Sequence, residues 1–322
     1  MRAVRTTSAA PSRTPGPSAP DGRTGPGPDL FLLAVAVSGI SLSAPLIAAT
    51  VAPALAIAFW RNAMAVGALT LPALLRHRAE LRAMGRRNIL LAAAAGALLA
   101  LHFALWLPSL HMTSVASSTA LVTTTPIWTT LLLRLRGRNS PALVWAGTAV
   151  AFAGVVLLTG VDLTLSPRAL AGDALALGGG MAAAGYVLLG AEVRRTVSTI
   201  AYTYVCYATT AVLLLVACLV AGADLGSGYD AETWVKLAVL TLTAQLLGHS
   251  LINRVVRGLG PSVTSTAILL ETPGAALIAA LWLGQTPPAA VYAALVVILA
   301  GLALVVRGNS GSAPRGSRTG TV

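Results

Sequence analysis

Ser118-Thr119-Ala120-Leu121-Val122-Thr123-Thr124-Thr125-Pro126 returns 147 residues later as Ser265-Thr266-Ala267-Ile268-Leu269-Leu270-Glu271-Thr272-Pro273. The same offset aligns 102–158 with 249–305 without a gap. His102 meets His249, Gly137 meets Gly284, Pro141-Ala142 meets Pro288-Ala289, Val144 meets Val291 and Gly154 meets Gly301. Chance supplies some Ala and Gly matches in a chain rich in both. His, Thr-Pro and Gly anchors kept in one register mark an internal repeat, which fixes architecture before any local reading does. A weaker echo links Asp29-Leu30 with Asp173-Ala174 at the start of each half.

The repeat lies in a chain that is 56% hydrophobic and 10% charged, with mean hydropathy +0.79. A soluble domain carries about 25% charged residues, so most of this surface is expected to face lipid. Apolar runs near the ~20 residues that cross a bilayer fall at 30–50, 53–75, 89–110, 113–133, 141–160, 172–190, 200–221, 234–256, 262–283 and 289–307. The expected fold is an all-α integral membrane protein of ten transmembrane helices. Residues 30–160 and 172–307 form two five-helix repeats, and five is odd, so the second repeat is inverted relative to the first. The Pro-, Ser-, Gly- and Arg-rich segment 1–29 reads as a disordered basic tail, and 308–322 as a second tail.

The net charge of +12 raises a nucleic-acid reading, which the positions of the charges remove. With both termini cytoplasmic, nineteen of the 22 basic residues fall in inner segments, among them Arg76 to Arg87, Arg134 to Arg138, Arg194, Arg195, Arg254 and Arg257. Outer segments hold Arg168 and Lys236 beside Asp162, Asp173, Asp224, Asp230 and Glu232, while Arg61 lies within a span. This is the positive-inside asymmetry of a multi-pass protein of the cytoplasmic membrane. Cys206 and Cys218 lie in one apolar run and read as packing residues.

Inverted repeats are how many secondary transporters build a midplane site between two gates. The chain also resembles the drug/metabolite transporter superfamily, as a protein with two EamA-type domains, over roughly 29–307. The resemblance rests on Phe59-Trp60-Arg61-Asn62, Thr125-Pro126, Gly172-Asp173-Ala174-Leu175-Ala176-Leu177, Leu270-Glu271-Thr272-Pro273 and Leu281-Trp282-Leu283-Gly284-Gln285. The family pattern closes the fourth and ninth spans with Gly-Glu, where this chain has Gly137-Arg138 and Gly284-Gln285. The resemblance implies an exporter of small metabolites or drugs working by alternating access.

Arg61 and Glu271 are the two full charges expected inside spans. A charge at the bilayer centre costs at least ~2.5–3.5 kcal/mol on insertion scales, so each needs a partner or a water-filled cavity. At 1.5 Å per residue Glu271 lies roughly 14 Å deep and Arg61 about 12 Å, close enough in depth to meet. Glu271 reads as a proton-binding carboxylate, as an anchor for a substrate ammonium, or as half of a structural pair with Arg61. Arg61 reads as that structural partner or as the ligand of a substrate carboxylate.

His102 and His249 are repeat equivalents that either face two ends of one cavity or each bond a neighbouring helix. Thr124 is the repeat partner of Glu271, so a symmetric site is charged on one side only. Trp106 and Asn253 are equivalent positions near the gates. Ser117, Ser118, Thr119, Thr123 to Thr125, Thr264 to Thr266 and Thr272, with Pro126 and Pro273, predict kinked central helices. Gly179, within Gly178-Gly179-Gly180, is a hinge candidate. No metal site is expected, since His102 and His111 are half a turn out of phase, and no cofactor is called for.

The leading function is a secondary transporter exporting amino acids or related metabolites, with protons as the coupling ion in one version. The alternative is a multidrug exporter for cationic compounds. From other classes, an enzyme lacks any HExxH, GxSxG or P-loop lysine, and a passive scaffold leaves the inverted repeat without a purpose. The expected partners are a small-molecule substrate and the lipid bilayer.

Overall fold

A computed structural model describes residues 26–110, 112, 118, 121–159, 166–271, 273, 274, 277, 278, 281 and 289–310. Expectations for His111, Ser117, Thr119, Thr272, Trp282, Gly284 and Gln285, and for most of both tails, lie outside them. The described elements are helices: α1 (Pro26–Ser41), α2 (Ser43–Ala48), α3 (Ala54–Arg76), α4 (Arg78–Ala83), α5 (Arg86–Ser109), α6 (Thr125–Leu135), α7 (Ala142–Thr159), α8 (Pro167–Val193), α9 (Thr199–Val220) and α10 (Ala231–Leu240). A π-helical segment, Thr241–His249, joins α10 to α11 (Ser250–Ile268), and α12 spans Ala289–Ser310. No strand occurs among the described residues. α1 starts at Pro26 and α12 reaches Ser310, each a few residues beyond its apolar run.

Seven of the helical stretches are long and apolar enough to cross a membrane. Large apolar side chains such as Leu75, Val212, Val220, Leu242 and Val296 are exposed on their flanks, as a lipid-facing surface requires. The stretch Ala231–Ile268, at 38 residues, would be about 57 Å long as one straight rod at 1.5 Å per residue. It is not straight. Gly260, with φ 80 and ψ 164, leaves the helical region just before Pro261. A positive φ suits glycine, and proline after it removes the donor that would carry the helix on. The break falls between the expected spans 234–256 and 262–283.

Local signals set the other ends. Ser166, Ser198 and Asp230 cap α8, α9 and α10 by accepting backbone N–H bonds from Ala169, Ala201 and Thr233, the usual work of N-cap oxygens. Gly137, at φ 75, closes α6. The N–H of Arg138 donates to the Leu133 carbonyl at 3.0 Å and that of Gly137 to Arg134 at 2.9 Å, so the glycine stops the helix in a Schellman-type turn.

The repeat is visible in packing. A Cβ on Gly154 would meet Ile298 and Ala294, while a Cβ on Gly301 would meet Ala151 and Gly147. Under the 147-residue offset these are the same contacts with the halves exchanged. α7 and α12 thus cross backbone to backbone on small residues, the packing membrane helices favour. The largest core cluster includes Leu99, Phe103, Trp106, Tyr186, Tyr202 and Tyr207 from α5, α8 and α9. A second, including Leu33, Val37, Ile40, Ile252 and Val255, seats α1 against α11.

The bundle has two distinct ends. At the arginine-rich end, Arg87 pairs with Glu192 at 3.1 Å, and Glu80 accepts bonds from the Ser198 amide and hydroxyl, each at 2.6 Å. At the other end, Trp60 Nε1 donates to the Leu225 carbonyl at 2.9 Å, and Lys236 pairs with Glu232 while reaching the Ala49 carbonyl.

Candidate functional site

Between these ends α2, α3, α5, α6, α8, α11 and the π-helical segment contribute to the walls of a cavity of about 60 Å³. Arg61, His102, Trp106, His249 and Glu271 all line it, with Ser43, Thr123, Thr125 and Tyr186. Five sequence candidates therefore converge on one place. Thr124 is buried just behind this lining, between Thr123 and Thr125.

The cavity lies beside two helix breaks that fall within one residue of equivalent positions in the repeat. Thr123 and Thr124 form a turn before α6, and Leu269 and Leu270 form a turn after α11. Both are tightened by bonds spanning three residues, Thr124 N–H to Leu121 at 3.2 Å and Leu270 N–H to Ala267 at 3.0 Å. Pro126 sits in the first turn of α6 and starts that helix, with the break just upstream of it. Pro273 lies three residues past the second break, in helical conformation. Discontinuous spans of this kind expose backbone where a transport site is built.

Arg61 is fully buried. Its Nε donates to Gln245 Oε1 at 2.9 Å, its Nη1 to Ser43 Oγ at 3.4 Å, and its Cζ lies 4.8 Å from the centre of the Phe103 ring. Gln245 in turn donates through Nε2 to Asn62 Oδ1 at 2.9 Å, and Asn62 donates to the Ala58 carbonyl. Arg61 Nη2 has no partner among the described residues. The four ion pairs found there are His77–Glu80, Arg87–Glu192, Arg195–Glu192 and Lys236–Glu232. The direct Arg61–Glu271 pair is absent from that set. The two charges share a cavity, and Gln245 holds the arginine.

Gln245 owes its place to the π-helical segment, which carries Gln245 and His249 four residues apart. Such segments occur preferentially at functional sites because the extra residue re-aims side chains. His102 Nδ1 lies 3.0 Å from the Gly179 carbonyl. A carbonyl only accepts, so Nδ1 carries the proton and a neutral His102 presents Nε2 as acceptor. Its ring stacks on Trp106 with centroids 5.6 Å apart. Gly179 lies inside the unbroken α8, and a Cβ there would come within 3.3 Å of Trp106. Its part in the structure is close approach to α5. Thr124 Oγ1 accepts a bond from Trp128 Nε1 at 3.0 Å and donates to the Leu121 carbonyl.

Asn253, on α11, accepts a bond from the Tyr186 hydroxyl of α8 at 2.9 Å. Tyr186 lines the cavity, so this pair ties α8 to α11 at the cavity wall. Sequence reasoning missed Gln245, Ser43, Tyr186 and buried Arg194. Single neutral polar residues in apolar runs carry no signal, and Arg194 looked like any other loop arginine.

A two-fold repeated bundle of apolar helices, with broken spans around a cavity that holds Arg61 and Glu271, is a multi-pass membrane protein by class. The sequence model of the EamA-like transporter family matches residues 27–160 and again 170–307, and the chain belongs to that family. A solved crystal structure, described only as that of a protein, aligns at a TM-score of 0.67 and 17% identity, covering 89% of this chain and 99% of the other. That likeness concerns the fold. No curated protein matches the sequence.

Proposed function

We propose that this chain exports small zwitterionic metabolites, amino acids among them, across the cytoplasmic membrane by alternating access coupled to protons. The observation that carries the reading is the pair of opposite charges, Arg61 and Glu271, on one buried cavity. Arg61 Nη2 and Trp106 Nε1 are donors without partners among the described residues, suited to a carboxylate. Glu271 suits an ammonium group, or a proton when that group is absent. At about 60 Å³ the cavity is far below the ~300–1,000 Å³ of small-molecule pockets, so its walls part to admit a substrate.

The ten-span reading is supported by the seven long helices if the break at Gly260 divides one of them and α7 and α6 each count as a crossing. The arginine-rich end then faces the cytoplasm together with both termini. Export of cationic drugs is the second reading, favoured by Leu99, Trp106 and Tyr186 beside Glu271. Arg61 weighs against it, because a cation entering the same cavity meets a buried guanidinium.

Uptake of pooled amino acids and, separately, of cationic dyes into inside-out vesicles tests the choice. Gradient-driven uptake from the amino-acid pool supports the zwitterion reading. Uptake of dye alone would replace it with the second.

A further inference from the structure

The central cavity gives Arg61 a setting and leaves a second buried guanidinium unexplained. Arg194 caps the C-terminus of α8 and is 1% exposed. Its neighbour Arg195 has a side chain 73% exposed and pairs with Glu192. Arg194 turns inward. Its Cζ sits 4.3 Å from the centre of the Tyr202 ring, and its Nε and Nη1 have no partner among the described residues. The buried Tyr202 hydroxyl lacks a strong partner too, with the weakly accepting Cys206 thiol beside it.

Gly190, one turn back along α8, leaves the space in which these groups meet. A Cβ there would collide with the Tyr202 hydroxyl and lie 2.8 Å from Arg194 Nη1. Asn253 Nδ2, likewise buried and unpartnered, belongs to the residue that holds Tyr186 on the central cavity. Tyr186 is itself within electrostatic reach of Arg194. Buried donors without partners among the described residues thus occur both at the end of α8 and beside the cavity lining. The carbonyls at a helix C-terminus offset a cation only in part, and a buried guanidinium without a counter-charge is costly. The missing complement is an oxyanion.

We propose that Arg194, with Tyr202, forms a second anion-binding site, a waypoint for the substrate carboxylate between the arginine-rich face and Arg61. The waypoint role rests on the transporter reading, whereas the anion site stands apart from it. The guanidinium fork matches carboxylate geometry.

The test is arginine modification by phenylglyoxal on the full-length protein in lipid nanodiscs, read residue by residue by mass spectrometry. Acetate is the probe, and acetamide with sodium chloride at equal ionic strength is the control. Arg194 is expected to be labelled in the control and protected by acetate, roughly tenfold slower at ten times the dissociation constant by mass action. Arg195 is expected to react alike in both. Tyr202→Phe keeps the ring under the guanidinium and removes only the hydroxyl, so protection should require more acetate. Equal labelling of Arg194 in acetate and acetamide, or no labelling of Arg194 where Arg195 reacts, overturns the site. Protection without vesicle uptake would leave the anion site and remove the transport reading. Uptake without protection would do the reverse.

Discussion

Arg61 is bound by Gln245, not by Glu271: the arginine Nε donates to the glutamine Oε1 at 2.9 Å inside the bundle. A neutral acceptor satisfies part of the guanidinium without cancelling its charge. The two charges therefore stay separate within one cavity, where a direct salt bridge would have joined them.

Gln245→Leu removes the Arg61 acceptor and the donor to Asn62 together. A hydrogen bond to a charged group contributes about 1.5–3 kcal/mol, and a loss of that order is expected in thermal unfolding of the purified protein. Gln245→Glu keeps an acceptor and is expected to fold, with uptake lowered because a new carboxylate neutralises Arg61. Wild-type stability for Gln245→Leu would mean that this bond does not hold the arginine.

The crossing of α7 and α12 gives a second expectation. Gly301 has no room for a side chain against Gly147 and Ala151, whereas Gly67 has nothing within 4 Å. Gly301→Val should cost about 1–3 kcal/mol by overpacking and reduce the yield of folded protein. Gly67→Val should lose well under that and serves as the control in the same unfolding assay.

A third expectation concerns pH at the arginine-rich end. Burial pushes the Glu80 carboxyl up, but the Ser198 hydroxyl and amide and His77 outweigh it and hold the carboxyl below its usual value of 4.5. A carboxylate with a depressed folded value adds stability that is present above pH 4.5 and lost as pH falls through the lower folded value. Unfolding temperature should therefore hold from neutral pH down to about 4.5 and fall below it, and Glu80→Gln should be less stable at neutral pH with a smaller acid loss. Glu192→Gln, which breaks pairs with the exposed Arg87 and Arg195, should change stability by no more than about 1 kcal/mol.

The repeat, the helical class and the family were readable because apolar length and a shared register are written along the chain. The cavity was readable in outline for the same reason. A charge such as Arg61 or Glu271 is conspicuous within an apolar run, and the offset ties His102 to His249. What escaped depended on rotation and register. Gln245 is one amide in Thr241-Leu242-Thr243-Ala244-Gln245, and only the π-helical turn aims it at Arg61. Arg194 and Arg195 are alike in sequence, yet one is buried over Tyr202 and the other is in solvent. Depth along a span can be counted from sequence, but the facing partner across the bundle cannot.

In the proposed function Glu271 binds a proton or a substrate ammonium in a cavity shared with Arg61. Its most direct test is uptake of pooled amino acids into inside-out vesicles, with and without a proton gradient, for wild type and Glu271→Gln side by side. Uptake is expected to require both the gradient and Glu271. Equal uptake by the two proteins, whether or not the gradient is present, would contradict it and leave Glu271 a structural residue.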